Sequence, residues 1–409
     1  MNIDRIVVIN DISDAKGGAT ALALLSALEF RQLGYPVTYL TGDDGDNAAL
    51  RNAGVEIIGL GEDRLLGKGR LSGFTSGLYN RQARRLLSDW ITANDSARTV
   101  YHLHGWTQIL SPAIFAALAP VQQRTVMSAH DFFLACPNGS FSFLKTGEVC
   151  NFSAMSTRCI AANCDRRSYH QKLWRVARQA LLQRLCDMRD PPPILMIHAG
   201  MRPFFERSGI PAAALHAVPN PITPFAQQRI EAERNAGALF VGRLEGTKGP
   251  DLACAACREA GSPLTMIGDG VMSSSLREQY PEVKFLGRLK PAEIAAHAAN
   301  ARMLLMPSRY PEPYGLVAIE AAWSGLPVIV SDTALLALDI LKAGAGTAVE
   351  PRDTGAFAKA IQALASDNAL TAQQSLAAYG KTRNLGLAPA AWIEALIEHY
   401  SRRLSRSPL

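Results

Sequence analysis

Short apolar, β-branched runs bounded by Gly, Pro or Asp recur along the whole chain, with longer amphipathic stretches between them. They fall at 5–9, 37–40, 55–58, 100–103, 125–128 and 194–198, and the rhythm restarts at 239–241, 264–267, 283–286, 303–306, 328–330 and 347–349. Strands alternating with helices at this spacing predict parallel sheets with helices on both faces. Between the two series lies VPNPITPF at 218–225, whose prolines disfavour helix and exclude a central strand. The expected fold class is therefore α/β, with two Rossmann-like domains and a cleft between them. The domains are expected at 1–222 and 223–388, and a helix at 389–409 packs back on the first through Trp392, Leu396, Ile397 and Tyr400. A chain of 409 residues that is 48% hydrophobic and 19% charged is long enough for two such cores.

No stretch approaches the ~18 apolar residues of a membrane span, and the first residues lack a signal-peptide pattern. Seven irregularly spaced cysteines then point to a reducing cytoplasm. A net charge of +6 is mildly basic, with Arg81, Arg84, Arg85, Arg166, Arg167, Lys172, Arg175 and Arg178 gathered in the first half. These are read as solvated helix faces or as a docking surface for an anionic membrane or an acidic, lipid-linked acceptor. No nucleic-acid-binding motif accompanies them.

The densest chemistry lies in EPYGLVAIE, Glu312 to Glu320. Tyr314, Gly315 and Leu316 lead into a helix whose first N–H groups are open to an anion, and the two carboxylates can accept hydrogen bonds from sugar hydroxyls. Upstream, LFVGRLEGTKG brings Arg243 and Lys248 to the end of a strand, where two cations can neutralise a diphosphate. Later strands end in Gly268-Asp269-Gly270 and Gly287-Arg288. In the first half, Lys16-Gly17-Gly18 opens a helix after the first strand without forming the G-x-G-x-x-G dinucleotide fingerprint. His102 and His104 share one side of their strand end, and His130-Asp131 follows the next strand. Asp44-Gly45-Asp46 spells D-x-D but lies alone in a polar loop, which argues against a metal there.

This arrangement resembles the family 4 retaining glycosyltransferases of the GT-B fold, of the bacterial polysaccharide biosynthesis type. The second half carries most of the resemblance. It implies that Glu312 contacts the donor sugar, Glu320 the ribose, Arg243 and Lys248 the diphosphate, and Arg288 the base. It further implies that Gly17 and Gly18 lie beside the donor phosphates, that His104 lies near the transferred sugar, and that His130 and Asp131 lie on the acceptor side. The implied reaction moves a sugar from a nucleoside diphosphate sugar to a hydroxyl of a saccharide or lipid-linked saccharide, in the cytoplasm or at the inner face of the membrane. It needs no cofactor for catalysis. A GT-B nucleotide-sugar epimerase and a non-catalytic GT-B binding protein remain as alternatives.

Cys136, Cys150, Cys159 and Cys164 sit in an insertion near 132–168 that has few aliphatic residues. A structural zinc would hold such a segment, although separations of 14, 9 and 5 contain no C-x-x-C knuckle. Buried free thiols are the competing expectation.

Overall fold

The computed structural model describes residues 3–15, 17–65 and 67–406. Its first sheet is built from β1 (Arg5–Asn10), β2 (Val37–Thr41), β3 (Glu56–Gly59), β4 (Thr99–Leu103), β5 (Thr125–Ala129), β6 (Ile194–Met196) and β7 (Leu215–Ala217). The strands are parallel and lie in the order β3-β2-β1-β4-β5-β6-β7. The second sheet holds β8 (Ala238–Val241), β9 (Leu264–Ile267), β10 (Lys284–Gly287), β11 (Met303–Met306), β12 (Val328–Ser331) and β13 (Gly346–Val349), in the order β10-β9-β8-β11-β12-β13. It too is parallel throughout. Strand β7 was absent from the sequence expectation. Its three residues, Leu-His-Ala, are too short to show a period.

The central strands are buried on both sides, as strands in a parallel sheet covered by helices must be. In the second sheet Leu239, Leu304, Val328 and Val330 face one core, and Phe240, Met266, Leu305 and Ile329 face the other. Strand order reverses between β1 and β4 in the first sheet, and between β8 and β11 in the second. At such a switch point the two loops leaving the strand ends diverge and leave a crevice for a ligand.

The chain packs as two units. The first comprises Met1–Ser140, Asn151–Val218 and Ala390–Leu409; the second comprises Phe141–Cys150 and Pro219–Pro389. The last helix, Pro389–Arg406, thus returns to the first unit, where the Tyr400 ring lies 5.5 Å from that of Phe30. No helix among the described residues is long and apolar enough to cross a membrane.

Candidate functional site

In the second unit, the switch point assembles its polar groups from two loops. After β8 the chain makes a short 3-10 turn, Gly246–Lys248, and enters the helix Pro250–Ala260 through Gly249 at φ 67°. A Cβ at Gly249 would stand 2.1 Å from the Pro307 carbonyl oxygen, so glycine lets this turn lie against the loop that leaves β11. Arg309 fastens the same junction. It forms two bonds to Asp251, of 2.7 and 2.6 Å, and a third to the Gly246 carbonyl at 2.8 Å.

This junction brings Lys248 to Glu312. Their N···O distance is 2.5 Å, and the side chains are 22% and 10% exposed, which makes this a largely desolvated pair. Ser308 donates to the same carboxylate oxygen at 3.0 Å, and Lys248 also reaches the Tyr310 hydroxyl at 3.2 Å. Burial works to raise the Glu312 carboxyl. The Lys248 charge and the hydrogen bonds from Lys248, Tyr310 and Ser308 outweigh it and hold the group below the ordinary glutamate value.

Gly315, at φ 73°, precedes the helix Leu316–Trp323. Leu316 opens that helix, and Glu320 lies on its second turn, half-buried. Burial alone pushes the Glu320 carboxyl up to about 7. Tyr314 is placed differently from a ligand contact. It is buried, and its hydroxyl donates to the carbonyls of Asn220 and Leu385, so it anchors the loop. Arg243 is exposed and paired with Glu245 at 3.0 Å, while Arg288 is exposed after β10. Ser308, Arg309 and Tyr310 were missed in the sequence, where they read as an ordinary approach to the Pro-Glu-Pro segment.

The first unit carries its own polar site at the ends of β1, β4 and β5. Gly17 and Gly18 are exposed at the start of the helix Gly18–Gln32, and a Cβ on Gly17 would meet open space. Lys16 lies outside the described residues. Asp11 is buried and accepts the backbone N–H groups of Gln108, Ile109 and Leu110 at 2.8, 2.8 and 2.9 Å, which fixes the loop after β4. His104 and His130 meet at 3.0 Å. Burial lowers both rings, His130 to about 4 and His104 well below its ordinary value, so both are neutral near pH 7. Asp131 beside them is pushed up to about 6, chiefly by burial. His104, His130 and Asp131 line a cavity of about 70 Å³ together with Asn10, Thr20 and Ser128.

Two of the cations assigned to a surface patch are withdrawn from it. Arg178 is buried under Trp106, 5.0 Å from the ring, and donates to the Thr107 carbonyl at 2.9 Å. Lys172 is fully buried, its ammonium 3.5 Å from the Cys159 sulfur and 3.3 Å from that of Cys164. The four cysteines expected to hold zinc are not gathered as ligands. Cys136 bonds to Asn138, and the cation facing Cys159 and Cys164 is Lys172. Among the described residues, no group of three or more His, Cys, Asp or Glu side chains is placed to hold a metal ion.

Residues 223–383 match the family of glycosyl transferases group 1. Glycogen synthase of Mycobacterium tuberculosis is 33% identical over 166 residues, which cover 38% of this chain and 40% of that protein. The chain thus spans 40% and 45% of the length of two of the curated relatives it matches, this glycogen synthase and the D-inositol 3-phosphate glycosyltransferase of Corynebacterium diphtheriae. Among solved structures, sucrose-phosphate synthase from Thermosynechococcus elongatus superposes with a TM-score of 0.72 at 17% identity, covering 99% of this chain and 100% of that one. Anabaena HepE in complex with UDP superposes with a TM-score of 0.69 at 16% identity, covering 97% and 100%. The fold is that of the GT-B glycosyltransferases, an α/β fold of two parallel sheets.

Proposed function

We propose that this chain is a retaining glycosyltransferase that moves a sugar from a nucleoside diphosphate sugar to a hydroxyl of a saccharide or lipid-linked saccharide. The observation that carries the reading is the Lys248–Glu312 pair at the switch point of the second sheet, desolvated and braced by Ser308 and Tyr310. A preorganised cation in such a crevice stabilises charge as it develops on a departing diphosphate. The carboxylate, kept ionised by its neighbours, accepts hydrogen bonds from sugar hydroxyls. Arg243, exposed and within reach of solvent, adds a second positive charge, and the helix start at Leu316 offers backbone N–H groups to phosphate.

The chemistry needs no cofactor. The acceptor hydroxyl attacks the anomeric carbon on the face from which the diphosphate leaves, the bond to the phosphate oxygen breaks, and that oxygen takes the hydroxyl proton. Glu320, raised to about 7 by burial, is the partner we assign to the ribose. Anabaena HepE, a structural neighbour seen in complex with UDP and with UDP-glucose, supports the donor class.

The test is a panel of UDP-, GDP- and ADP-sugars screened for protection against thermal unfolding, followed by transfer assays with the stabilising donor. A true donor raises the melting temperature by mass action and releases nucleoside diphosphate only when an acceptor is added. Protection by none of the panel would sink the proposal. Conversion of the donor to its epimer without acceptor would favour the epimerase instead.

A further inference from the structure

Outside both polar sites, the first unit buries a lysine against two thiols. Lys172, on the helix Tyr169–Leu185, is fully buried. Among the described residues its hydrogen bonds reach the Cys159 sulfur at 3.5 Å and the Cys164 sulfur at 3.3 Å, and no carboxylate. The acid closest to it in sequence, Asp165, is itself buried and pairs with Arg175 at 2.7 Å. Both cysteines are 5% exposed, and the cover over them is thin, since Arg158, Ala161, Asn163 and Arg166 of the same segment are exposed.

A buried ammonium is costly unless a negative charge faces it. Burial works against the charge on Lys172, but Cys164 and Cys159, with a smaller share from Cys136, outweigh it and hold the group above the ordinary lysine value. An ammonium held in this way needs one of the two sulfurs as thiolate, the form that reacts with oxidants. The other sulfur bonds to the same nitrogen, so it stands close by as a resolving thiol. Elsewhere in the chain the thiols differ. Burial pushes Cys186, Cys254 and Cys257 up to about 12, which marks them as inert packing groups.

We propose that Cys159, Cys164 and Lys172 form a modification site for hydrogen peroxide, in which Lys172 sustains one sulfur as the reactive thiolate and the other sulfur closes the oxidised one into a reversible disulfide. The thiolate attacks a peroxide oxygen, an S–O bond forms as the O–O bond breaks, and the departing hydroxide takes a proton from the Lys172 ammonium to leave as water. The second thiol gives its proton to the lysine amine and attacks the sulfenic sulfur. The S–S bond forms, the S–O bond breaks, and the hydroxide again leaves as water with a proton from Lys172. Two sulfurs are each oxidised by one electron, and one peroxide is reduced to two waters. Lys172 ends as a neutral buried amine that has lost its counter-charge, so oxidation favours states in which it reaches water. The proposal stands on the first unit alone and does not rest on glycosyl transfer.

The experiment treats the reduced, tag-free full chain with hydrogen peroxide at neutral pH, blocks the remaining thiols by alkylation at set times, and maps the cysteines by mass spectrometry. A Cys159–Cys164 link, lighter by two hydrogens and reopened by dithiothreitol, should form before Cys186, Cys254 or Cys257 is oxidised. Cys159→Ser and Cys164→Ser should each prevent it, and the variant that keeps the reactive sulfur should yield a sulfenic acid that dimedone captures. Lys172→Met, which keeps an unbranched side chain without the charge, should slow the link by about tenfold or more, because an ordinary thiol is only a few per cent ionised near neutrality. Once linked, the wild type should melt at a lower temperature than its reduced form, and Lys172→Met should change little. Absence of the link in the wild type, its formation no sooner than oxidation of the other three thiols, or a link from either sulfur to Lys172 in its place would overturn the proposal, whether or not Lys172→Met folds. So would an undiminished rate in a folded Lys172→Met, or equal losses of melting temperature in the two proteins.

Discussion

Lys248 and Glu312 hold each other in a position where either could hold a ligand, and this sets what their removal should do. Lys248→Ala should lower kcat by about two orders of magnitude, ~3 kcal/mol, if the ammonium stabilises the leaving diphosphate in the transition state. Steady-state kinetics with donor and acceptor decides this, since a change confined to KM would mean uniform binding instead. Glu312→Gln keeps the shape and should also lower turnover. It carries a second signature. The folded Glu312 value lies below its unfolded one, so its contribution to stability is present above the ordinary glutamate range and is lost as pH falls through the folded value. Melting temperature should therefore fall in acid for the wild type and less steeply for Glu312→Gln. Glu320 has the opposite sign: raised to about 7, it is partly protonated at neutrality. If the ribose hydroxyls need its carboxylate, donor affinity should strengthen as pH rises from ~6 to ~8 and stay flat in Glu320→Gln, as calorimetry would show. The outer members of this site were legible in the sequence because carboxylates flanking a glycine at a helix start form a dense signal. Arg309 was not, since an arginine in a loop names no partner until Asp251 is seen beside it. Arg178 and Lys172 misled for the converse reason: a basic helix spells a solvated face, and only tertiary contact reveals Trp106 and the two thiols that cover them.

At the level of elements, the loop-to-helix entry at Gly315 is the most exacting. A Cβ there would lie 2.5 Å from Leu336 Cδ2 and 2.8 Å from the Met306 sulfur, on a backbone with positive φ. Gly315→Ala should cost about 2–4 kcal/mol, the sum of left-handed strain and overpacking, seen as a lower melting temperature. The strands were readable from apolar runs because parallel strands buried on both faces are nearly continuous in Val, Ile and Leu. Strand β7 was not, because its pairing with β6 rests on backbone bonds that three residues of mixed polarity do not advertise. The cysteine insertion lay beyond sequence for a related reason. Separations along the chain say nothing of a lysine from the following helix, Tyr169–Leu185, arriving between two sulfurs. With an ammonium already facing them, tag-free protein from zinc-replete cells should contain well under one zinc per chain by elemental analysis. One zinc per chain would return those thiolates to the role of ligands.

The whole molecule is divided unevenly between what the chain order suggests and what packs together. Residues 223–383, where the family match lies, fall within one unit, and the motifs there could be read in a single pass. The first unit is harder to read because its core draws on segments far apart in the sequence. Trp392, Ile393, Leu396, Tyr400 and Leu404 of the last helix are all buried. At about 1.5–3 kcal/mol for each buried side chain, their sum is on the order of a domain's entire stability. Truncation after Ala388 should therefore unfold the first unit while the second keeps its structure. Limited proteolysis followed by mass spectrometry would show this as a protected fragment beginning near 219, and equal protection of both units would refute it.

The return of the chain to its starting unit also fixes a timetable. A ribosome delivers residues in order, so the first sheet waits, with Phe30 and His102 uncovered, until the helix Pro389–Arg406 leaves the exit tunnel. The intervening unit, contiguous from 219 to 389 apart from one short segment, can fold while synthesis continues. The second unit can thus mature before the first, and the first unit is the client that a holding chaperone would meet.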